Sequence, residues 1–147
     1  MRANLIDVAV VTSPFADKTG LNINVIKKLQ DIVAAGNGFS YLKDKEISLH
    51  ELVKYPLICL KNTTTTRNYL DHIFRQHNLL LRPDIELTSI NFVMPMVKNN
   101  LGIGFMQYAT TKAEIEAGNI FRVNTKEQIP PRSICAVTAS QYEKPEP

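Results

Sequence analysis

Short runs of branched apolar residues alternate with stretches of helical period along this chain, and that alternation restricts the fold more than any other feature. Residues 5–11 (LIDVAVV) are almost continuously apolar, as expected of a strand covered on both faces. Thr12, Ser13 and Pro14 end it, because proline cannot donate to a strand ladder. Residues 24–28 and 31–35 read as two more strands, the second closed by Gly36-Asn37-Gly38. Ser48 and Glu51 have the spacing of a capping box for a short helix over 48–53, which Tyr55-Pro56 stops. A compact strand follows at 57–60. The clearest helix spans 66–78, with Tyr69, Leu70, Ile73, Phe74 and His77 on one buried face.

Residues 85–88 read as a strand, and Ser89 or Asn91 caps a helix running to Lys98. Pro95 fits that helix only within its first turn. Asn99-Asn100 suit the left-handed conformation that ends helices. A strand at 103–106, a helix at 111–117 stopped by Gly118, and strands at 120–123 and 134–138 complete the series. The tail over 143–147 (EKPEP) carries no period and is expected to fray. Strands alternating with helices predict a mostly parallel sheet covered on both faces, with ligands beyond the carboxyl ends of its strands.

Composition removes several function classes. The 147 residues suffice for one domain or two small lobes without disulfide or metal staples. The net charge of +3 is dispersed, with no basic run longer than Lys27-Lys28, so nothing predicts nucleic-acid binding. Cys59 and Cys135 each sit in an apolar run without a metal-ligand spacing, which predicts buried thiols. The first residues carry no leader pattern and no apolar run is long enough to span a bilayer. A reduced, cytoplasmic protein with no membrane role is the expectation. His72 and His77 lie five apart, off a shared metal face, and His50 stands alone. No nucleophile elbow surrounds any serine, and Gly102-Ile103-Gly104 lacks the third glycine and the helix of a dinucleotide site. Its simpler meaning is close backbone approach. Without an acid–base pair or a cofactor cradle, no enzyme, no cofactor and no metal are expected.

The most informative stretch is Thr63-Thr64-Thr65-Thr66-Arg67, between a strand end and a helix start. N–H groups of a first helical turn lack intrahelical partners and the macrodipole is positive there. Hydroxyls and a guanidinium could converge on a carboxylate, sulfate or phosphate. Equally, one threonine could cap the helix and the rest be loop, with Arg67 or Arg75 merely pairing with Asp71 at helical spacing.

Taken in order, Ile6-Asp7-Val8-Ala9-Val10-Val11, KKLQDIVAAG, SLHELVKYPLICL, TTTTRNYLDHIF, PDIELTS, MVKNNLGIGFM and IPPRSICAV form a recognisable set. The set resembles the effector-binding domain of LysR-type transcriptional regulators, from Leu5 to about Ser140. That resemblance implies an α/β fold like the type 2 periplasmic binding proteins, with two lobes of mixed sheet flanked by helices. One lobe is expected to be incomplete. Residues 1–19 form part of lobe I, 20–107 all of lobe II, and 108–147 return to lobe I. The crossings fall after Val11 and just past Met106. The resemblance further implies that a small anionic metabolite binds in an interlobe cleft. Thr64, Thr65, Thr66, Arg67, Ser89, Phe105 and Met106 would contact it, with Thr12, Ser13 and Gln107 at the hinge wall. The sequence departs from the family in lacking the DNA-binding helix-turn-helix and the start of lobe I, and in ending KPEP where a helix is usual. It therefore reads as truncated, reaching DNA only through the missing N-terminal domain. Exposed sheet edges favour a homo-oligomer. A transporter's solute-binding component shares the fold and is the alternative. An enzyme on the same scaffold, such as a dehydratase, would need a convergent acid and base.

Overall fold

The structure is a computed structural model, and it describes residues 9–12 and 21–139. Residues 5–8 of the expected first strand, Ser13 and the expected frayed tail lie outside the described residues. The protein divides into two units: Gln30–Pro130 form one, and Met1–Leu29 with Pro131–Pro147 the other.

In the smaller unit, β1 (Ala9–Thr12), β2 (Leu21–Leu29) and β9 (Arg132–Ala139) form an antiparallel sheet in the order β1-β9-β2. β2 pairs with β9 from Leu21↔Ala139 to Leu29↔Arg132, with a register shift between Val25 and Lys27. The larger unit carries a six-stranded mixed sheet ordered β4-β8-β3-β7-β5-β6. Its strands are β3 (Asp31–Gly36), β4 (Glu46–Ile47), β5 (Leu57–Leu60), β6 (Ile85–Leu87), β7 (Ile103–Gln107) and β8 (Ile120–Thr125). The helices are α1 (Leu49–Leu52), α2 (Thr65–Gln76), α3 (Val93–Lys98) and α4 (Tyr108–Glu116).

The unit boundaries differ from the expected crossings. Residues 21–29 belong with the smaller unit because the whole of β2 pairs with β9. Residues 108–130 belong with the larger one, where β8 pairs antiparallel with β3 and the backbone runs on to Pro130. Strand partnership is a long-range choice that local hydrophobic pattern does not carry.

Strand β3 is buried along its full length because the sheet is covered on both faces. Val33 and Ala35 join Leu57, Cys59, Ile103 and Phe105 beneath α1 and α2. Ile32 and Ala34 join Ile58 and Met106 beneath Val93 and Val97 of α3. Tyr69, Leu70, Ile73 and Phe74 are the buried stripe of α2, and Phe74 meets Phe105 edge-on at 5.9 Å. His77, expected on that stripe, is instead the exposed C-cap, where the backbone leaves helical geometry. Ser48 caps α1 in a full capping box with Glu51.

The helix expected from Ser89 is split into a 3-10 turn (Ile90–Phe92) and α3, which places Pro95 in the first turn of α3 where its missing N–H costs nothing. A 3-10 helix at Asn37–Leu42 and the two-residue β4 had no pattern to announce them. Asn100 takes φ 63°, the expected left-handed position. Gly104 is the close approach inferred from the sequence: a Cβ there would lie 2.7 Å from Val97 Cγ2 and 3.1 Å from Val93 Cγ1. Replacing Gly104 with Ala should lift α3 from the sheet. A loss of about 1–3 kcal/mol in urea unfolding is expected, and an unchanged midpoint would deny the close contact.

Candidate functional site

Strand β5 lies between β7 and β6 and runs parallel to both. Their carboxyl ends therefore share one edge of the sheet, and each passes directly into a helix start. β5 leads to Thr64 and α2, β6 to Ser89 and the 3-10 turn before α3, and β7 to Gln107 and α4. Lys61 N–H donates to Leu87 O at 2.9 Å, tying the first two of these loops together. First-turn N–H groups and the positive ends of the helix dipoles thus converge where open α/β sheets take their ligands.

Thr64 is the N-cap of α2. Its Oγ1 accepts from Arg67 N–H at 3.2 Å and donates to Lys61 O at 2.8 Å, so this hydroxyl is used by the fold. Thr65 is exposed and Thr66 half-buried in the first turn. Ser89 Oγ accepts from Asn91 N–H at 3.2 Å. Gln107 precedes α4 without capping it through its side chain, and its carbonyl accepts from the Thr110 and Thr111 hydroxyls. Thr64, Thr65, Thr66, Ser89 and Gln107 are thus brought to one edge.

The remaining expected contacts stand elsewhere. Phe105 and Met106 are each 4% exposed and belong to the two core faces of β7. Thr12 ends β1 in the other unit. Arg67 is 7% exposed and committed within the lobe. Its Nε donates to Asp71 at 2.9 Å and its Nη1 to Glu86 at 2.7 Å and to Leu60 O at 3.1 Å. Desolvation works to lower its pKa, but the hydrogen bonds to Glu86 and Asp71 outweigh it and hold the guanidinium above its ordinary value. Arg67 therefore fastens α2 to the ends of β5 and β6. Beside it, burial pushes the Cys59 thiol up to about 12, with Arg67 pulling the other way.

Among the hollows of this unit, two are bordered by described residues. One of about 160 Å³ is bordered by Asn62, Arg67, Asp71, Arg75, Leu80 and Leu81. The other, about 360 Å³, is bordered by residues 30–33, 44–46 and 122–129. Neither is lined by Thr64, Thr65, Thr66 or Ser89. Among the described residues no three of His, Cys, Asp and Glu gather as a metal site, and no helix is long and apolar enough to cross a membrane.

The sequence reading gave no role at this edge to Lys61, Gln30, Tyr108 or the Tyr69 hydroxyl. Lys61 brings an exposed ammonium group directly after β5. Gln30 Nε2 donates to Ile129 O at 2.9 Å, and Gln30 O accepts from Tyr108 N–H at 2.7 Å. Tyr69 OH donates to Pro130 O. Both α2 and α4, which start at this edge, are therefore hydrogen-bonded to the points where the backbone leaves the unit.

The family model described as the LysR substrate binding domain matches residues 1–146. The HTH-type transcriptional activator CmpR of Synechocystis sp. is 29% identical over 105 residues, covering 70% of this chain and 34% of CmpR. The chain thus spans about a third of that relative's length. The regulatory domain of CcmR from Synechocystis PCC6803, solved in complex with 2-PG, superposes with a TM-score of 0.78 at 18% identity. That alignment covers 95% of this chain and 67% of CcmR's. The effector-binding domain of QuiR, in complex with shikimate, gives 0.73 at 18% identity over 93% of this chain and 64% of its own. These neighbours have the type 2 periplasmic-binding-protein-like fold, mixed sheets flanked by helices, that the sequence led us to expect.

Two outcomes follow from the Arg67 brace. Replacing Arg67 with Met strands two carboxylates and should cost about 2–4 kcal/mol, with Lys restoring only part of it. Equal stability of the three proteins in urea would refute the brace. The Cys59 thiol should react slowly with aromatic disulfide reagents in the folded protein. Its folded pKa lies above the ordinary thiol value of 9.0, so its contribution to stability is complete below that pH and is lost as pH rises toward about 12. Rapid labelling at neutral pH would contradict that burial.

Proposed function

The chain belongs to the LysR substrate-binding domain family, and from that premise we propose that it senses a small anionic metabolite at the edge where β5, β6 and β7 end. One observation carries the proposal: three parallel strands discharge into three helix starts side by side. Each dipole offers an exposed anion about 0.3–1 kcal/mol, so first-turn N–H groups and hydroxyls supply most of the affinity. Thr65, Thr66 and Ser89 contact the effector, Lys61 adds charge, and Gln107 borders the site. Thr64 and Arg67 hold the α2 turn in position, and Phe105 and Met106 seat β7 beneath it. The complexes of CcmR with 2-PG and of QuiR with shikimate support a small-molecule effector.

The role is regulatory. Binding stiffens the starts of α2 and α4, whose Tyr69 hydroxyl and Tyr108 N–H are bonded to Pro130 O and Gln30 O. Occupancy is thereby felt where the backbone passes out of the unit, which gives the effector a differential hold on two conformations. In an intact cytoplasmic regulator, a homo-oligomer passes that bias to DNA-binding domains, and no catalytic step or cofactor is involved.

The test is thermal unfolding in the presence of small carboxylates, phosphate and sulfate. At a hundredfold excess over Kd a true effector adds about 2.7 kcal/mol. A joint Thr65→Ala, Thr66→Ala, Ser89→Ala variant should fold and lose the shift. A shift that survives those three substitutions would relocate the site; no shift from any anion would remove the anionic assignment.

A further inference from the structure

Gly36-Asn37-Gly38 contains the one Asn-Gly step in the sequence. Asn followed by Gly is the asparagine context most open to cyclisation, because glycine has no Cβ to block its nitrogen from the neighbouring amide carbon. Every other asparagine here precedes a residue with a side chain. Asn37 and Gly38 are exposed at the start of the 3-10 helix that follows β3. Both reacting groups are nonetheless engaged. Gly38 N–H donates to Asn100 Oδ1 at 2.7 Å, and Asn37 Nδ2 donates to Gly118 O at 3.1 Å. Asn100 holds its place tightly: a Cβ on Gly36 would lie 2.5 Å from its Oδ1, and one on Gly38 2.7 Å from its Cγ.

We propose that Asn37 is a site of spontaneous deamidation held in check by Asn100. In the reaction, hydroxide removes the Gly38 amide proton and the nitrogen bonds to Asn37 Cγ. The bond between Asn37 Cγ and Nδ2 breaks and ammonia leaves, taking a proton from water. Water then opens the cyclic imide at either carbonyl, leaving aspartate or isoaspartate. In the fold the Gly38 proton is held by the Asn100 carbonyl, and the Asn37 amide is turned toward Gly118. Two hydrogen bonds must break before the new bond forms. Once formed, the carboxylate faces a carbonyl oxygen that it cannot donate to, which loosens the turn after α4.

The experiment incubates the 147-residue protein at mildly alkaline pH and follows Asn37 by peptide mapping, beside a free peptide of the same local sequence. Asn100→Gly keeps the left-handed backbone without strain and removes the guard. Arg67→Lys, destabilised at the opposite edge of the sheet, controls for general unfolding. Conversion at Asn37 should be slower in the folded protein than in the peptide. It should rise about three- to tenfold in Asn100→Gly, the worth of one hydrogen bond, and stay near the parent rate in Arg67→Lys. An intact protein that converts as fast as the peptide would overturn the proposal. So would an Asn100→Gly rate equal to the parent's, or an Arg67→Lys rate raised as far.

Discussion

The parallel register of β5 with its two neighbours is the constraint from which the rest of the larger unit follows. Parallel strands cannot be joined by hairpins, so each must be followed by a crossover, and each crossover here begins with a helical turn. Three such turns come to stand side by side at one edge. Burial of β3, β5 and β7 on both faces locks that register, because a slip of one residue would exchange Phe105 with Met106 between two differently shaped cores. The gathering of helix starts at this edge is thus a by-product of how the core is packed.

Charge and hydrogen-bonding groups near that edge divide by burial. Arg67 is enclosed, and its two carboxylate partners and two backbone carbonyls use most of its donors. Thr64 is similarly spent as a cap. Thr65 and Lys61 remain at the surface, uncommitted to the core. The guanidinium that could have been a binding group in sequence is a fastening between α2 and the strands β5 and β6.

Much of the fold was legible because its signals are local. The capping box at Ser48 and Glu51, the stripe of α2, the left-handed Asn100 and the close approach at Gly104 each depend on a few adjacent residues. The crossings were misplaced because whether residues 21–29 pair with β3 or with β9 is decided a hundred residues away. Phe105 and Met106 were expected near the ligand because the resemblance places the strand end after Gly104 there, and the structure buries both side chains in the two core faces of β7. The family, by contrast, was readable from ordered phrases spread over the whole sequence, and the match over residues 1–146 agrees with it.

The central claim is that this one edge receives the effector. Amide chemical-shift mapping of the folded protein during titration with a small carboxylate tests it most directly. The account predicts that the largest changes fall on the amides of Lys61, Thr65, Thr66, Ile90 and Tyr108, with smaller ones at Gln30. Changes confined to the opposite edge, around Asn37 and Asn100, or spread evenly over the surface, would contradict it.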